Sequence, residues 1–537
     1  MLDQMSPNQR LIVAVLLSVI FFVGYTAIFP PVEHEVAENA QSTINKSTNS
    51  ATVKDTVDTE AGHVVSSVES LPVDAGNTIL TVTSKDFILK MDTLGRISSK
   101  ELLDARYRNK DDGHAQLIPS TGTKPLYLRF MDEALNKEAS SVAYTANSSE
   151  VTLVGEAKKV VLTQNLTNLT ITKTLTFFTD GHYDVEIAVS QDKRYYVYLG
   201  QRPRVNESEQ MMTVVGAMVY TTTNEDELVT IIEDGDAEGR KAFSAVALIS
   251  AFDQYTASIM YGFDKERNII VERDREDNPV VYFDGLQNIK FNGYVGQKNY
   301  KTLKAINPVL TNAIEYGWFT FAAKPLFALL SWLYSIFGNW GWSIIALTAI
   351  IRFVLYPLTY KGMVSMQKMK QLTPKMKELK EKYKGDPARL NKATMDMYKK
   401  NGANPLGGCL PMLMQIPVFF AIYRVLLNAE ELQGAEWILW VNDLSRMDPY
   451  YVLPLLMGAS MFFQQKLTPT TFTDPMQEKV MKFLPVIFTF FFITFPSGLV
   501  LYWFVNNLFS ILQQFIVNQQ FKNAKDAKEA IAIKSEK

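Results

Sequence analysis

Apolar and polar positions follow three different patterns along the chain, and the first is an unbroken apolar run near the start. Residues 11–29 contain no charge and have a length that suits a membrane helix, with Arg10 directly before them. No A-x-A-like cleavage site follows this run, so we expect residues 1–31 to be an uncleaved transmembrane anchor. The next segment, 32–76, is rich in Ser, Thr, Asn and acidic residues, which predicts a flexible linker.

The second pattern is alternation with a period of two, and it extends over residues 77–305. Runs such as TILTVTSKDFILKM and LTNLTITKTLTFF alternate β-branched or aromatic residues with polar ones. Turn-forming groups such as TDGH and EDGD separate the runs. Many short alternating strands with turn signals between them predict a β-sandwich.

An aromatic-rich stretch, WFTFAAKPLFALLSWLYSIFG, lies within residues 306–340 and carries Lys324 and Pro325 near its middle. A helix that crosses the membrane is one interpretation. However, the next apolar run begins almost at once, which leaves room only for a very short turn. We therefore favour an amphipathic helix that lies in the membrane interface, with its aromatic side chains at headgroup depth.

The third pattern is a series of apolar runs in residues 341–520, which predicts further membrane helices. The runs cover residues 342–358, 405–427, 450–465, 483–495 and 499–517. The loop 361–400 and the tail 521–537 are rich in lysine, whereas the loop that follows 405–427 has Arg446 as its one basic residue. Because positively charged loops stay in the cytoplasm, we expect the loop 361–400 and both termini inside, and the β-rich region outside.

The basic loop itself has helical periodicity. Methionine, leucine and tyrosine recur at spacings of three and four up to a GDP break, and Asp386 followed by Pro387 is typical of the start of a second helix. Methionines give an adaptable surface, and lysines suit anionic lipid, acidic chains or ribosomal RNA. We therefore predict a helical hairpin that recruits partners, although an inert, solvated hairpin fits the same pattern. The residues that we single out are Met366, Met369, Lys377, Lys380 and Lys392.

Arg352 is the most unusual residue of the apolar runs, because it lies near the middle of 342–358. A charge at that depth costs about 2.5–3.5 kcal/mol on insertion scales. A structural ion pair would offset this cost, but none of the predicted membrane helices supplies Asp or Glu at that depth. Hydrogen bonds to helix carbonyls are a second structural explanation. We favour a third, in which the charge faces a hydrated cavity.

Polar residues of the neighbouring runs could line such a cavity. Thr348 precedes Arg352 by one turn on the same helix face, and Gln415 lies inside the run 405–427. In the last run, four polar residues spaced by four, four and three form a stripe on one face: Tyr502, Asn506, Ser510 and Gln513, with Asn507 and Gln514 beside them. Hydrogen bonds between helices explain such a stripe by itself. Together with an arginine that lacks an acidic partner, a shared hydrophilic groove is the better interpretation.

Composition excludes several classes of site. The single cysteine, Cys409, cannot form an internal disulfide, and the net charge of −2 does not indicate a nucleic-acid binder. All four histidines lie outside the apolar runs, and there is no H-E-x-x-H, G-x-S-x-G or Walker motif. We therefore expect no enzyme activity, no metal and no cofactor.

Several motifs of the C-terminal half closely resemble those of the YidC family of bacterial membrane insertases. They are GNWGWSII, IIRFVLYPLT, NPLGGCLPMLMQIPVF, DPYYVLPLLMG, PTTFTDPMQEKVM and FPSGLVLYW. The resemblance implies a polytopic α-helical membrane protein with six transmembrane helices, five of them a conserved core, and an inserted periplasmic β-supersandwich domain. It implies a hydrophilic groove around Arg352, with substrate contacts at Phe419, Phe491 and Tyr502. Trp503 stands where a second tyrosine is common in the family.

The resemblance also implies a function: insertion and folding of inner-membrane proteins, alone or with the Sec translocon, without nucleotide hydrolysis. The implied partners are nascent membrane proteins, the ribosome, the Sec translocon and the lipid bilayer, with no small-molecule substrate. Two other functions stay open at this point. A secondary transporter with Arg352 in its substrate site should show paired halves with broken helices. A structural scaffold should tolerate an apolar residue in place of Arg352.

Overall fold

The computed structural model of the protein describes residues 77–104, 106–107, 113–204, 213–222, 227–314, 320–402, 410–468 and 475–535. The predicted anchor 1–31 and linker 32–76 lie outside the described residues. Within the described part, the strands fall between Thr78 and Gln297, and the long apolar helices follow them. This order agrees with the division of the sequence into alternating and apolar regions.

Three sheets make up the strand region. The first has the order β4 (Ala115–Gln116), β3 (Ile97–Leu102), β2 (Phe87–Asp92), β1 (Thr78–Thr83) and β7 (Glu150–Thr152). The second has the order β13 (Glu227–Glu233), β12 (Gly216–Thr222), β15 (Val246–Phe252), β16 (Thr256–Tyr261), β19 (Ile289–Gln297), β10 (His182–Val189), β9 (Thr170–Phe177), β8 (Lys158–Asn165) and β6 (Thr145–Ala146). The third has the order β14 (Arg240–Phe243), β17 (Ile269–Arg273), β18 (Pro279–Leu286), β11 (Arg194–Tyr198) and β5 (Leu128–Phe130). β1 and β7 pair in parallel, whereas the long pairs β8–β9 and β9–β10 are antiparallel.

Alternation along the strands places one set of side chains in the core between the sheets. In β9 every second residue is buried, from Ile171 to Phe177. One member of this set is polar: Lys173 is fully buried, and its Nζ donates hydrogen bonds to the carbonyl oxygens of Gly95 and Leu126, both at 2.8 Å. Burial lowers the pKa of Lys173 to about 7.

The helices, in chain order, are α1 (Glu133–Ser141), α2 (Tyr300–Ile306), α3 (Thr320–Phe337), α4 (Trp340–Gln371), α5 (Thr373–Lys382), α6 (Pro387–Lys400), α7 (Leu410–Asn428), α8 (Val452–Leu467), α9 (Pro475–Phe492) and α10 (Ser497–Ser535). Short 3-10 helices lie at Pro308–Ala313 and Glu430–Leu432. Among the long helices, α10 packs along both α4 and α8, and α3 packs on α4 and α7.

Helix ends in the predicted hairpin differ from the pattern-based boundaries. α4 continues through the predicted end of its apolar run into the basic loop, and the next helix begins at Thr373 instead of continuing it. Pro374 explains the break, because proline lacks an N–H and fits only the first turn of a helix. Asp386 does cap α6: its side chain accepts a hydrogen bond from the Arg389 N–H at 3.0 Å. α10 is longer than the run 499–517 and includes most of the predicted tail.

Three described helices are long and apolar enough to cross a membrane: α3, α4 and residues 497–523 of α10. The length and composition of α3 also fit a spanning helix, the alternative that the sequence left open, and its interfacial position stays a prediction. Its buried residues include Phe327 and Leu330, whereas Phe321 and Trp332 are exposed. Two shorter apolar helical segments are Gln415–Asn428 and Lys482–Phe492.

The strand region contacts the helices at the end of α7. The carboxylate of Glu430 is buried there and accepts hydrogen bonds from the Tyr107 hydroxyl and, at 2.8 Å, from Asn299 Nδ2. Gln254 Nε2 donates to the Leu427 carbonyl oxygen at 2.8 Å. Residues from the β-rich domain therefore hold the last turn of α7 and the turn that follows it.

Burial shapes the electrostatics of this junction. Desolvation raises the pKa of Glu430 to about 8; the neighbouring Glu431 and Asp104 raise it further, and Arg106 opposes the shift. Glu431 itself accepts a hydrogen bond from the Tyr300 N–H at 3.1 Å, at the first residue of α2. Burial of Glu430 therefore favours the neutral, protonated form of its carboxyl.

Candidate functional site

Arg352 lies on α4 and points at α10. Its side chain is only 7% exposed. Nε donates to Asn506 Oδ1 at 2.7 Å, and Nη2 donates to Ser510 Oγ at 2.6 Å and to the Asn506 carbonyl oxygen at 3.1 Å. No Asp or Glu of the described residues forms an ion pair with it. The guanidinium is thus held by neutral acceptors, which fix its position without cancelling its charge.

The helical pattern of α10 explains why two of these acceptors meet one arginine. Asn506 and Ser510 are four residues apart, so they lie on the same face of α10. Ser510 Oγ also donates to the Asn506 carbonyl oxygen at 3.0 Å, which orients the hydroxyl oxygen toward Arg352. The packing of α10 along α4 brings this face to mid-length of α4.

Gln415 connects α7 to the same network. Its Nε2 donates to the Tyr502 hydroxyl at 3.0 Å and approaches Asn506 Oδ1 at 3.5 Å. Tyr502 is buried one turn before Asn506. Side chains of α4, α7 and α10 therefore meet at one polar cluster, which we call the arginine cluster: Arg352, Gln415, Tyr502, Asn506 and Ser510.

The other residues predicted for the groove have different surroundings. Thr348 is buried and donates to the Ile344 carbonyl oxygen at 2.7 Å, within its own helix, so its hydroxyl does not contact Arg352. Gln513 is buried as well, and its Oε1 has no hydrogen-bond donor among the described residues. Both positions lie on the predicted face, but neither is hydrogen-bonded to the arginine cluster.

Asn507 and Gln514 face away from Arg352. Asn507 Nδ2 donates to Ser460 Oγ on α8 at 3.0 Å. Gln514 Nε2 donates to Asn518 Oδ1 at 2.8 Å, and Asn518 Nδ2 donates to the Leu467 carbonyl oxygen at 3.2 Å. One edge of the polar stripe on α10 thus accepts hydrogen bonds from Arg352. The other edge joins α10 to α8 through hydrogen bonds between helices.

Aromatic residues form a second cluster beside the first. The Trp503 ring lies 4.7 Å from that of Phe419, edge to face, and 5.2 Å from that of Phe492. Phe491 is partly exposed and packs on Phe495 with ring centroids 4.9 Å apart. Trp503 Nε1 is buried and has no acceptor among the described residues. This apolar surface joins α7, α9 and α10 next to the polar cluster.

Some members of the aromatic cluster were not among the predicted residues, among them Phe492, Phe495 and Tyr423. Phe492 contacts Trp503 directly, and Tyr423 lies one turn after Phe419 with a ring separation of 6.0 Å. Tyr423 is buried, and its hydroxyl also lacks a partner among the described residues. The spacing of four from Phe419 was the available signal for Tyr423.

Part of the predicted methionine face packs the end of α4 against α6. Met369 and Leu372 are buried, with Met366, Met397 and Tyr398 packed against them. The three lysines singled out from the sequence are exposed: Lys377, Lys380 and Lys392. The hairpin therefore presents a basic surface, while several of its methionines face inward.

The arginine cluster offers groups that can bind another polypeptide segment. No group of three or more His, Cys, Asp or Glu side chains with metal-binding geometry occurs among the residues described. The arginine cluster offers a positive charge, hydroxyls and amides, but no nucleophile paired with a base. It can attract and hydrogen-bond a polar chain, and the aromatic cluster beside it can contact an apolar one.

Comparisons with known proteins agree with the resemblance in the motifs. The family model of the 60Kd inner membrane protein matches residues 332–525, and that of the YidC periplasmic domain matches residues 79–329. The membrane protein insertase YidC of Wolinella succinogenes is 44% identical over 536 residues, which covers 98% of each chain. That of Campylobacter jejuni subsp. jejuni is 45% identical over 516 residues, or 96% of each chain.

A crystal structure of an active YidC insertase with its first transmembrane domain resolved aligns with 80% of this chain and 91% of its own, at 19% identity and a TM-score of 0.36. The family matches confirm the predicted class, a membrane protein with a β-rich domain and a helical core. The count of six spans stays a prediction. Near full-length identity above 40% to curated relatives places this sequence within their family. The chain therefore belongs to the YidC family of membrane protein insertases.

Proposed function

We propose that this protein inserts proteins into the bacterial inner membrane, and that Arg352 attracts their polar segments into a hydrophilic groove. One observation carries the proposal: a buried arginine is hydrogen-bonded only to neutral groups of the described residues. Such a charge is costly in an apolar bundle. Its positive charge stays available to a polar or acidic segment of an incoming chain.

The apolar part of the incoming segment follows a different surface. Phe419 and Phe491 belong to the aromatic cluster on α7 and α9, next to the arginine cluster. A polar segment would occupy the groove at Arg352 while the adjoining apolar segment moves along these rings into lipid. Burial of its apolar surface supplies the free energy, at about 25 cal/mol per Å², so that no nucleotide is hydrolysed.

The basic hairpin α5–α6 recruits the partners of insertion. Its exposed lysines suit the ribosome or other anionic partners, and we place the hairpin and both termini in the cytoplasm and the β-rich domain in the periplasm. Cooperation with the Sec translocon is part of the same proposal. The names of the relatives favour an insertase over a transporter that uses Arg352 in a substrate site.

The charge of Arg352 is tested with two single-span substrates that share an apolar segment. One carries Asp and Glu in its translocated part, and the other carries Asn and Gln. In proteoliposomes, Arg352→Ala should reduce insertion of the acidic substrate at least about fivefold relative to the neutral one, equivalent to about 1 kcal/mol of attraction. Arg352→Lys should retain most of the insertion, since it keeps the charge.

The readout is the fraction of substrate protected from added protease. Lys361→Ala is the matched control, because it removes an exposed cation on the same helix, beyond the end of the apolar run. It should reduce both substrates equally or not at all. Equal insertion of acidic and neutral substrates by Arg352→Ala would refute the role of the charge.

A further inference from the structure

The loop between α7 and α8 contains a tight turn at residues 436–441, which we call the outer turn. The Trp437 N–H donates to the Val441 carbonyl oxygen at 2.9 Å, and the Val441 N–H donates to the Ile438 carbonyl oxygen at 3.1 Å. Asn339 Nδ2, at the start of α4, donates to the Glu436 carbonyl oxygen at 3.0 Å. Hydrogen bonds within the turn and to α4 thus fix its backbone.

Packing of Trp437 sets the level of the outer turn along the helices. A Cβ at Gly341 would overlap the Trp437 ring, so the indole lies directly against the first turn of α4. The Trp342 ring is 5.9 Å from that of Trp437. The outer turn is therefore level with the end of α4 that is opposite the hairpin α5–α6. Arg352 lies about 16 Å further along α4, at 1.5 Å per residue.

The outer turn presents large apolar side chains to the outside despite backbone strain. Leu439 has a φ of +56° and is 79% exposed. Tyr451, before α8, has a φ of +58° and is exposed too. Side chains with a Cβ adopt this left-handed conformation only at a cost, and Leu and Tyr are poor candidates for it. The neighbouring hydrogen bonds hold both residues in this state.

Asp448 explains how the second of these sites is held. Its carboxylate is fully buried and accepts the N–H of Tyr450 at 3.0 Å and that of Leu453 at 2.7 Å. Tyr450 is 68% exposed beside Tyr451. The segment therefore directs aliphatic and aromatic side chains outward from rigid backbone. An adaptable loop would instead be expected to fold such side chains inward.

These side chains are continuous with the apolar flank of the bundle. Leu455 and Leu456, in the first turns of α8, are exposed, and so is Trp342 at the start of α4. Helices of this family cross a membrane, so the apolar flank faces lipid. Leu439, Tyr450 and Tyr451 extend this flank to the end of the helices, where tyrosine and tryptophan favour the boundary between headgroups and acyl chains.

We propose that Leu439, Tyr450 and Tyr451 insert into the membrane leaflet on the side opposite the hairpin, at the boundary between lipid headgroups and acyl chains. Lipid is the occupant because the patch combines aliphatic and aromatic side chains and continues the lipid-facing surface of α8. Glu436, exposed at the start of the outer turn, stays in water and marks the edge of the patch. Since Trp437 packs on Gly341, this contact anchors the end of α4 and thereby the depth of Arg352.

A fluorescent label measures the contact. The environment-sensitive dye NBD is attached at Leu439→Cys in a Cys409→Ser background, and the protein is reconstituted into phosphatidylcholine–phosphatidylglycerol vesicles. Lipids that carry a nitroxide quencher just below the headgroup should quench the label at least about twofold, and its emission should be blue-shifted. Glu436→Cys is the matched control in the same turn, and its label should emit as in water without quenching.

Tyr450→Cys gives an independent second position, in case the change at Leu439 alters the turn. Its label should be quenched in the same way. Water-like, unquenched emission at both 439 and 450 would overturn the proposal. Quenching that disappears when an apolar substrate segment is added would also overturn it, because the patch would then be a surface for the substrate.

Discussion

Replacing Asn506 by leucine should destabilise the helix bundle chiefly because Arg352 loses a hydrogen-bond acceptor. The bond from Arg352 Nε to Asn506 Oδ1 is 2.7 Å long and joins a charged donor to a neutral acceptor within a buried cluster. Bonds of this kind contribute about 1.5–3 kcal/mol, and removing one partner leaves the full desolvation cost of the other. We therefore expect Asn506→Leu to lower the free energy of unfolding by about 1.5–3 kcal/mol.

The same replacement should matter much less when the arginine is absent. In an Arg352→Leu background, Asn506 Oδ1 loses only its 3.5 Å contact with Gln415 Nε2. Contacts between helices of this type average about 0.6 kcal/mol. The double-mutant cycle should therefore give a coupling free energy of about 1–2 kcal/mol between positions 352 and 506.

Unfolding of the purified protein in mixed micelles, titrated with denaturing detergent and followed by tryptophan fluorescence, measures all four members of the cycle. Asn507→Leu is the control, because Asn507 is next in sequence but bonds Ser460 on α8. Its effect should add to that of Arg352→Leu. A coupling between Arg352 and Asn506 below about 0.5 kcal/mol, the usual limit of additivity, would show that the bond does not hold the charge.

Three further predictions concern the junction, the bundle and the domains. Glu430 has a pKa of about 8 in the fold against 4.5 for the free side chain, so the folded state binds the proton more tightly and stability should fall as pH rises between these values. In Glu430→Gln, thermal unfolding should no longer depend on pH in this way. Gly458→Ala should lower the free energy of unfolding by about 1–3 kcal/mol, because a Cβ there overlaps the Thr489 hydroxyl. In unfolding by denaturing detergent, adding Thr489→Ala to the same chain should restore part of this loss. In cells depleted of the wild-type protein, deletion of residues 80–290 should leave insertion active, whereas deletion of 318–337 should abolish insertion even if the protein accumulates normally. Protection of the substrate from external protease measures insertion in both cases, and the opposite result would refute the division of roles between the β-rich domain and the helix.

The centre of the candidate site could be predicted from the sequence because helical spacing and charge both point to it. Asn506 and Ser510 are four residues apart in a run that must be helical, so they share a face whatever packs against it. Arg352 has no acidic residue at its depth, so the sequence left two surroundings open for its charge: neutral acceptors or a hydrated cavity. These two facts indicate a polar face on α10 and an unpaired arginine on α4 before any packing is known, and the structure brings the two together.

Partners outside that cluster could not be predicted, since periodicity gives a face and not its neighbour. Thr348 shares a face with Arg352, but its hydroxyl bonds its own helix. Asn507 lies beside Asn506, yet it faces α8. In both cases the crossing of the helices decides the partner, and crossing angles depend on side-chain packing that no single sequence window contains.

At Lys173 the alternation along β9 gave a wrong expectation for a related reason. Lys173 occupies an inward position of β9 between apolar residues, where the pattern predicts an apolar side chain. Carbonyl oxygens of Gly95 and Leu126, distant in sequence, satisfy its ammonium group. Glu430 is similar, because its donors come from Tyr107 and Asn299. Buried polar groups that depend on distant backbone or loops leave no local signal in the sequence.

The neutral acceptors around Arg352 decide what its charge can do. A carboxylate at position 506 would form an ion pair worth about 4 kcal/mol at 4 Å and an effective dielectric constant of 20, and it would cancel most of the attraction for any other anion. Asn506 and Ser510 satisfy the N–H groups and hold the side chain against α10, so the positive charge remains and cannot extend to the surface. Because the charge is buried without an anionic partner among the described residues, its desolvation cost still lowers the stability of the bundle. In the proposed function, an acidic segment of the incoming chain is the partner that reduces this cost.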